Sequence, residues 1–237
     1  MQIYVPAYYK KFRCIAGACR HTCCVGWEIA VDEASLPRFA ADPLVSPHLE
    51  LGDVPHIRLL SGERCPFLRN DGLCEMILQN GEQSLCQICR DHPRFRNFWS
   101  DRVEIGLGLV CEEAARLILS ETEPLTLIPF GEDENEKAEP DEAERWLFDL
   151  RSDLLSGITE TGPRARLLEY LIFRHLGNAL YDDRVEERLA FIENAFLEIT
   201  AAWDKTDGSI AALAEAARAW SYDVEYDDEA LESRLKR

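Results

Sequence analysis

The sequence predicts a mainly α-helical protein with a few short strands, in which a cysteine-rich, metal- or cluster-binding N-terminal region precedes a C-terminal helical bundle. Three observations support this fold class. All nine cysteines lie at or before Cys111. Apolar residues recur every three or four positions through much of residues 143–235, the spacing of amphipathic helices. Residues 131–144 hold eight acidic side chains and one lysine, a composition typical of a linker.

We therefore expect a cysteine-cluster region at 1–125, an acidic linker at 126–144 and a helical bundle at 145–237. A chain of 237 residues with 46% hydrophobic residues is long enough to bury a substantial core. The predicted bundle helices are Ala143–Leu155, Pro163–Tyr181, Val185–Trp203, Ser209–Trp220 and Asp227–Leu235.

The cysteine-rich region predicts short elements joined by loops. Pro6 argues against a long regular element in residues 2–13. Asp32 is expected to cap a short helix, and the Asn70-Asp71-Gly72 turn should fold Cys65 back toward Cys74. Further expected elements are strands at Trp27–Val31 and Arg102–Gly108, helices after Glu75 and after Cys111, and mostly loop over residues 42–63.

The charge distribution excludes some classes of partner. The net charge is −18, and residues 121–237 carry 13 basic against 29 acidic side chains, a balance of −16. Such a chain repels phosphate backbones, so we expect no nucleic-acid partner, whereas a basic protein or peptide would be attracted. No apolar run approaches the roughly 20 residues of a membrane helix, and the N-terminus has no signal-peptide pattern. We expect a cytoplasmic protein without a membrane partner.

The cysteines are the candidate ligands of a metal or cluster. In a reducing compartment an odd number of cysteines indicates ligands or catalytic thiols more than disulfides. Cys86 and Cys89 form one C-x-x-C pair, but C-x4-C-x3-C-C at Cys14–Cys24 is no zinc-finger spacing, so both an iron–sulfur cluster and zinc stay open. The side chains of the adjacent Cys23 and Cys24 are expected to point in different directions, so that both are not ligands of the same iron. The candidate metal ligands are Cys14, Cys19, Cys23, Cys24, Cys65, Cys74, Cys86, Cys89 and Cys111.

Residues beside the cysteines are weaker candidates. His21 and His92 could ligate or hydrogen-bond to ligands. Arg90, Arg94 and Arg96 form a basic patch that could bind a carboxylate, although salt bridges to the acidic half are the simpler expectation. No Gly-rich loop after a strand marks an ordinary S-adenosylmethionine site, and no catalytic base can be assigned.

Four motifs together resemble a known family. They are Phe12-x-Cys14-x4-Cys19-x3-Cys23-Cys24-x-Gly-Trp27, Cys65-Pro-Phe-Leu-x4-Gly-Leu-Cys74, Cys89-x2-His-Pro-Arg94 and Cys111-Glu-Glu-Ala-Ala-Arg. This combination resembles the flagellin lysine-N-methylase (FliB) family, which is related to the YkgJ-type cysteine-cluster proteins. The likeness is close over residues 4–120 and continues loosely to the segment that follows Trp220.

The resemblance implies an iron–sulfur protein, with a [4Fe-4S] cluster, that methylates flagellin lysines with S-adenosylmethionine as methyl donor. It places the cluster ligands among the candidate cysteines, with Cys86 the position that the family pattern fixes least. Two other functions stay open from the residues alone. One is a non-enzymatic binding module stapled by zinc or a closed cluster, and the other is a redox or electron-transfer protein.

Overall fold

The computed structural model describes residues 1–236 and divides into two compact units. The α/β unit consists of Met1–Arg13 and the chain from Pro93 onward. The cysteine unit consists of Cys14–His92. The domain boundaries expected at residues 125 and 144 stay a prediction.

The strands are short and are distributed over both units. They are β1 (Gln2–Pro6), β2 (Ile29–Ala30), β3 (Leu49–Glu50), β4 (His56–Ile57), β5 (Arg94–Phe98), β6 (Arg102–Leu107) and β7 (Leu127–Glu132).

The helices account for about half of the chain. The α-helices are α1 (Leu36–Ala41), α2 (Glu75–Asn80), α3 (Gln87–Asp91), α4 (Glu112–Leu119), α5 (Glu142–Ser156), α6 (Pro163–Leu176), α7 (Ala179–Asp182), α8 (Val185–Trp203), α9 (Ile210–Trp220) and α10 (Asp228–Leu235). A π-helix at Ser221–Glu225 continues α9. Short 3-10 helices lie at Ala7–Lys11, Ala16–Ala18, Ser46–His48 and Glu82–Ser84. Within residues 1–236, no helix combines the length and the apolar composition that crossing a membrane requires.

A four-stranded sheet of order β5-β6-β1-β7 forms one layer of the α/β unit. Strand β1 runs parallel to β6 and antiparallel to β7, and β5 runs antiparallel to β6. The interior strand β6 is buried from Val103 to Leu107, as expected for a strand covered on both faces.

Helices α4, α6, α8 and α9 pack on one another around the main core of the same unit. The apolar stripe of α8 faces this core, with Ile192 and Ile199 buried and Leu189 and Phe196 packed against it. The predicted helices of residues 143–235 are confirmed within a few residues at each end. The exception is the helix expected at Pro163–Tyr181, which is interrupted at Gly177 and continues as α7.

The fold is mixed α/β, which corrects the mainly α prediction. Three unpredicted strands of the four-stranded sheet, β1, β5 and β7, account for most of the difference. Pro6 ends β1 and does not prevent it, because β1 pairs on both sides before the chain turns at Ala7. Strand β7 lies inside the predicted linker, since the acidic run begins only at its last residue, Glu132.

A buried ion pair joins the sheet to the helices. The guanidinium of Arg151, on α5, donates to both carboxylate oxygens of Glu104, on β6, at 2.5 and 2.6 Å. The same guanidinium stacks on the rings of Trp99 and Phe148. Both charged groups are removed from water, so the loss of either one would leave the other buried without a counter-charge.

Replacing Gly106 with alanine should destabilise the protein. A Cβ at this position of β6 would lie 2.2 Å from Phe95 Cζ and 2.9 Å from a ring carbon of Phe173, both in packed positions. Overpacking of this kind costs about 1–3 kcal/mol of unfolding free energy. Gly131→Ala, on β7 of the same sheet, is the matched control because its Cβ would meet no atom within 4 Å. Chemical denaturation should show a lower midpoint for Gly106→Ala only; equal midpoints would contradict this packing.

The cysteine unit has its own small sheet and core. Strands β2, β4 and β3 pair antiparallel in that order, and the bridge between Val25 and Arg64 lies nearby. Strand β2 confirms the strand predicted at Trp27–Val31, in shorter form. The core gathers Ile29, Val31, Phe39, Val45, Ile57, Phe67, Leu68 and Met76 with the buried cysteines Cys65 and Cys86.

Candidate metal centre

The Cys65–Cys74 segment folds back on itself as predicted. Gly72 adopts a φ of 79°, which favours glycine, and its N–H donates to the carbonyl of Arg69 at 3.2 Å. A β-bridge then pairs Leu68 with Cys74. Cys65 and Cys74 are therefore placed at the two sides of one hairpin-like knuckle.

The first cysteine segment lies against this knuckle. A Cβ placed on Gly72 would be 3.2 Å from the Cα of Gly17, and one placed on Gly17 would be 2.7 Å from the carbonyl oxygen of Asp71. Only glycines permit two backbones to approach so closely. Gly17 lies between Cys14 and Cys19, so the segment that carries these cysteines lies against the Cys65–Cys74 knuckle within the cysteine unit.

Backbone N–H groups lower the pKa of three of the thiols. Phe67 N–H acts on Cys65, Met76 and Ile77 N–H act on Cys74, and Cys89 N–H acts on Cys86. Cys74 and Cys86 occupy the N-cap positions of α2 and α3. Such donors stabilise the thiolate form of cysteine, which is the form that binds metals.

Three cysteine side chains influence one another. Interactions with Cys23 and then Cys65 hold the pKa of the Cys24 thiol well below its ordinary value. The pKa of Cys65 is raised, by its interaction with Cys24 and by burial. Cys23 is exposed whereas Cys24 is half-buried, and our expectation that their side chains serve different places stays a prediction.

The C-x-x-C pair forms a second group. The thiols of Cys86 and Cys89 are hydrogen bonded; this bond lowers the pKa of Cys86 and raises that of Cys89, which burial raises further. The Cys24 charge also acts on Cys74 and Cys89, so the two groups are electrostatic neighbours.

Asp32 anchors the C-x-x-C helix, a role that the sequence did not reveal. Its Oδ1 accepts from Ser35 N–H at 3.0 Å, but the predicted cap is wrong in position, because the N-cap of α1 is Ser35 and not Asp32. Its Oδ2 accepts from Gln87 N–H at 2.7 Å, at the start of α3. Burial opposes ionisation of Asp32, but the bond from Gln87 leads the groups that lower its pKa. The carboxylate therefore fixes the orientation of the segment that carries Cys86 and Cys89.

Aromatic side chains flank the cysteines. The Trp27 ring packs on the His92 ring with centroids 5.5 Å apart, and the Trp27 indole N–H donates to the carbonyl of Cys23. His92 also contributes to lowering the pKa of Cys24. Phe67 is a buried core residue. The buried thiols of Cys65 and Cys86 thus lie in an apolar core.

The other candidates have different environments. Cys14 is exposed, and its sulfur accepts from Ala16 N–H. The Cys19 thiol donates to the carbonyl of His21 at 2.8 Å. Cys111 belongs to the α/β unit, where it occupies the N-cap position of α4.

The basic patch is divided between the two units. Arg90 lies in α3, in the cysteine unit. Arg94 lies in β5, and its guanidinium stacks on Tyr9 and Phe12 and donates to Tyr9 Oη at 2.8 Å. Arg96 is on the same strand.

The donor chemistry fits a thiophilic metal or cluster. In the described part of the chain, no three Cys, His, Asp or Glu side chains are already arranged as ligands around one point. The cysteine unit nonetheless concentrates soft thiol donors, and two of them, Cys24 and Cys86, have lowered pKa values. Thiolates select zinc, Cu(I) and iron–sulfur clusters. Which of the nine cysteines would hold such a group stays a prediction.

The chain is similar to known proteins over about half of its length. Over 136 residues the chain is 29% identical to a lysine-N-methylase of Salmonella typhimurium and 29% identical to one of Salmonella choleraesuis. Each match covers 52% of this chain and 33% of the relative, so the chain matches about a third of the length of these relatives. It is also 27% identical over 134 residues to the flagellar biosynthetic protein FliU of Salmonella muenchen, covering 79% of that protein.

No family model and no solved structure matches the chain. The residues that carry the sequence resemblance lie mostly in the half of the chain that contains every cysteine. These relatives confirm the predicted resemblance to lysine-N-methylases: the chain is similar to two of them and to FliU over about half of its length, and the relation to the YkgJ-type proteins stays a prediction.

Proposed function

We propose that this protein is a cytoplasmic protein-lysine N-methyltransferase that acts on flagellin. The observation that carries the proposal is the similarity to two lysine-N-methylases and to a flagellar biosynthetic protein over half of the chain. The acidic composition agrees with it, because a protein of net charge −18 attracts lysine-bearing surfaces. Lysines of a protein substrate are therefore the expected methyl acceptors.

We further propose an iron–sulfur cluster, with S-adenosylmethionine as methyl donor. Both come from the family resemblance, and the soft thiol donors of the cysteine unit are compatible with the cluster. When bound, the cluster would supply either a structural centre or an open iron site, according to whether four or three cysteines hold it. Zinc is the alternative metal for the same donors.

The chain's own residues would have two tasks in methyl transfer. They must hold a lysine in its neutral form, because only the free amine is a nucleophile, and they must align it with the methyl group. A dry pocket or a neighbouring base lowers the pKa of a lysine enough for this.

Methyl transfer to flagellin tests the proposal directly. The anaerobically purified full chain would be incubated with flagellin and isotopically labelled S-adenosylmethionine, and labelled lysines would be located by mass spectrometry. Incorporation of label that depends on the protein supports the proposal. A protein that binds neither S-adenosylmethionine nor flagellin would overturn it. Iron, sulfide and zinc contents with the visible spectrum would decide between a cluster and zinc.

A non-enzymatic module is the second candidate, and one observation favours it. Cys65 and Cys86 are buried members of the core of the cysteine unit, so a metal bound there would also hold the fold together. A colourless protein with stoichiometric zinc that binds flagellin but transfers no methyl group would support this function instead.

A further inference from the structure

A cleft in the α/β unit has the chemistry of a cation site. Its volume is about 310 Å³, at the low end of the roughly 300–1,000 Å³ typical of small-ligand sites and ample for one long side chain. The N-terminus of α5, the end of β5 and the segment from α7 to α8 line it. Its acidic lining residues are Asp141, Glu144 and Asp183.

Glu144 is a buried carboxylate without a cationic partner among residues 1–236. Its exposed fraction is 7%, and its oxygens accept from Ser100 N–H at 2.5 Å and from the Ser100 hydroxyl. Buried carboxylates are normally paired with a cation, because hydrogen bonds alone replace only part of their hydration. The lining of the cleft therefore carries a carboxylate that is hydrogen bonded to Ser100 but has no counter-ion among residues 1–236.

The helix dipole of α5 does not balance the negative charge of the carboxylates that line the cleft. A helix N-terminus is equivalent to roughly half a positive charge. Asp141 accepts from the Glu144 N–H as the N-cap of α5, and the two carboxylates together outweigh that half charge. Asp183, at the end of α7, adds a third carboxylate, and it forms no ion pair within the described residues.

Aromatic side chains stand exposed at the same cleft. Phe98 and Trp146 line it with exposed fractions of 42% and 55%. Tyr181, at 60%, is held beside Phe98, because its hydroxyl donates to the Phe98 carbonyl at 2.9 Å and accepts from the Phe98 N–H at 3.0 Å. Ring faces next to carboxylates attract ammonium groups through cation–π and charge interactions.

We propose that this cleft binds a lysine side chain in a basic segment of a protein partner. The inference rests on the proposed function in its choice of lysine, but the cation site itself is argued from charge and geometry. The lysine ammonium would neutralise the uncompensated carboxylates, while its methylene chain would pack against Trp146 and Phe98. A polyanion is excluded as occupant because the three carboxylates would repel it.

Peptide binding tests the cleft without requiring methyl transfer. A short fluorescein-labelled lysine-rich peptide would be titrated with the full-length protein and followed by fluorescence anisotropy. Its twin with every lysine acetylated has the same length but no charge. We expect the lysine peptide to bind at least about tenfold more tightly than the acetylated peptide, and added salt to weaken the binding.

Matched variants locate the binding. Trp146→Ala should weaken it about tenfold, and Asp183→Asn, which keeps a side chain that tolerates the left-handed φ of 52°, should weaken it about threefold or more. Phe130→Ala and Glu160→Gln remove an exposed aromatic and an exposed carboxylate outside the cleft, and should bind as the unmodified protein does.

Equal binding of both peptides, or unchanged binding by Trp146→Ala and Asp183→Asn, would overturn the proposal. The proposed enzymatic function can fail separately. Cleft-dependent binding of a peptide and of flagellin without methyl transfer would uphold the cleft and reject the methyltransferase. Methyl transfer that neither cleft variant affects, together with binding that does not depend on the cleft, would support the methyltransferase and reject the cleft.

Discussion

Cys65→Ser should abolish binding of the proposed metal or cluster and destabilise the cysteine unit. Cys65 is buried, and its thiol interacts with Cys24 and with Phe67 N–H. A serine hydroxyl is a poor ligand for soft metals and leaves a polar group in the core, which alone costs about 1–3 kcal/mol. Loss of a structural metal would add to this, because binding free energies of roughly 10 kcal/mol or more contribute directly to folding in zinc domains.

Metal content and thermal unfolding together check this prediction. A chelator should lower the melting temperature of the unmodified protein but should change that of Cys65→Ser little, because the variant has already lost the metal. Cys14→Ser is the comparison at an exposed cysteine, where the folding penalty should be smaller. A Cys65→Ser protein with unchanged metal content and melting temperature would show that Cys65 is neither a ligand nor a structural thiol.

Local patterns predicted much of the fold because their causes are local. Helical periodicity predicted α8 at Val185–Trp203, and the Asn-Asp-Gly turn predicted that the Cys65–Cys74 segment folds back on itself. The four-stranded sheet was missed because its pairings are distant in sequence: Gln2 pairs with Arg102 and also with Glu132. A strand flanked by an acidic run has no local signal that distinguishes it from a linker.

The candidate site was predicted in composition but not in detail. Cysteine spacing indicated soft-ligand chemistry, and the structure brings Cys23, Cys24 and Cys65 together as it does Cys86 and Cys89. The hydrogen bond from Gln87 N–H, at the start of α3, to the Asp32 carboxylate joins residues 55 positions apart. No spacing rule could have predicted this bond. The contact of Gly17 with Gly72 is of the same kind, although two glycines in cysteine-rich loops are a signal for close approach of backbones.

The segment after Trp220, which is part of the family resemblance, completes a buried polar network. Glu225, in the π-helix, lies 2.7 Å from His175 Nε2 and 3.1 Å from Arg174 Nε, both on α6. The Tyr170 hydroxyl lies 3.3 Å from each Glu225 oxygen and accepts from Leu109 N–H at 3.2 Å. One carboxylate therefore connects the C-terminal segment, α6 and the backbone shortly before Cys111.

Glu225→Gln should cost about 3–5 kcal/mol of unfolding free energy at neutral pH. The substitution keeps the shape of the side chain but leaves the buried Arg174 guanidinium without its counter-charge, and breaking a buried pair in this way has costs of that size. Glu232→Gln is the matched control, because Glu232 pairs with Arg184 at the surface, where the loss of an ion pair should change stability little. Denaturant unfolding of both variants measures the difference.

The pH dependence of the same variant separates charge from packing. Burial raises the pKa of Glu225, but Arg174 and then His175 outweigh it, so the folded-state pKa lies below the ordinary value. The stabilisation by Glu225 is therefore complete above the unfolded-state pKa of about 4.3 and is lost as the pH falls through the folded-state pKa. His175, whose pKa burial lowers, already reduces the stability of the unmodified protein below about pH 6.5, because it takes up a proton on unfolding. The gap between the unmodified protein and Glu225→Gln should consequently narrow only below about pH 5. A gap that stays constant down to strongly acidic pH would mean that the network stabilises the fold through packing and not through the Glu225 charge.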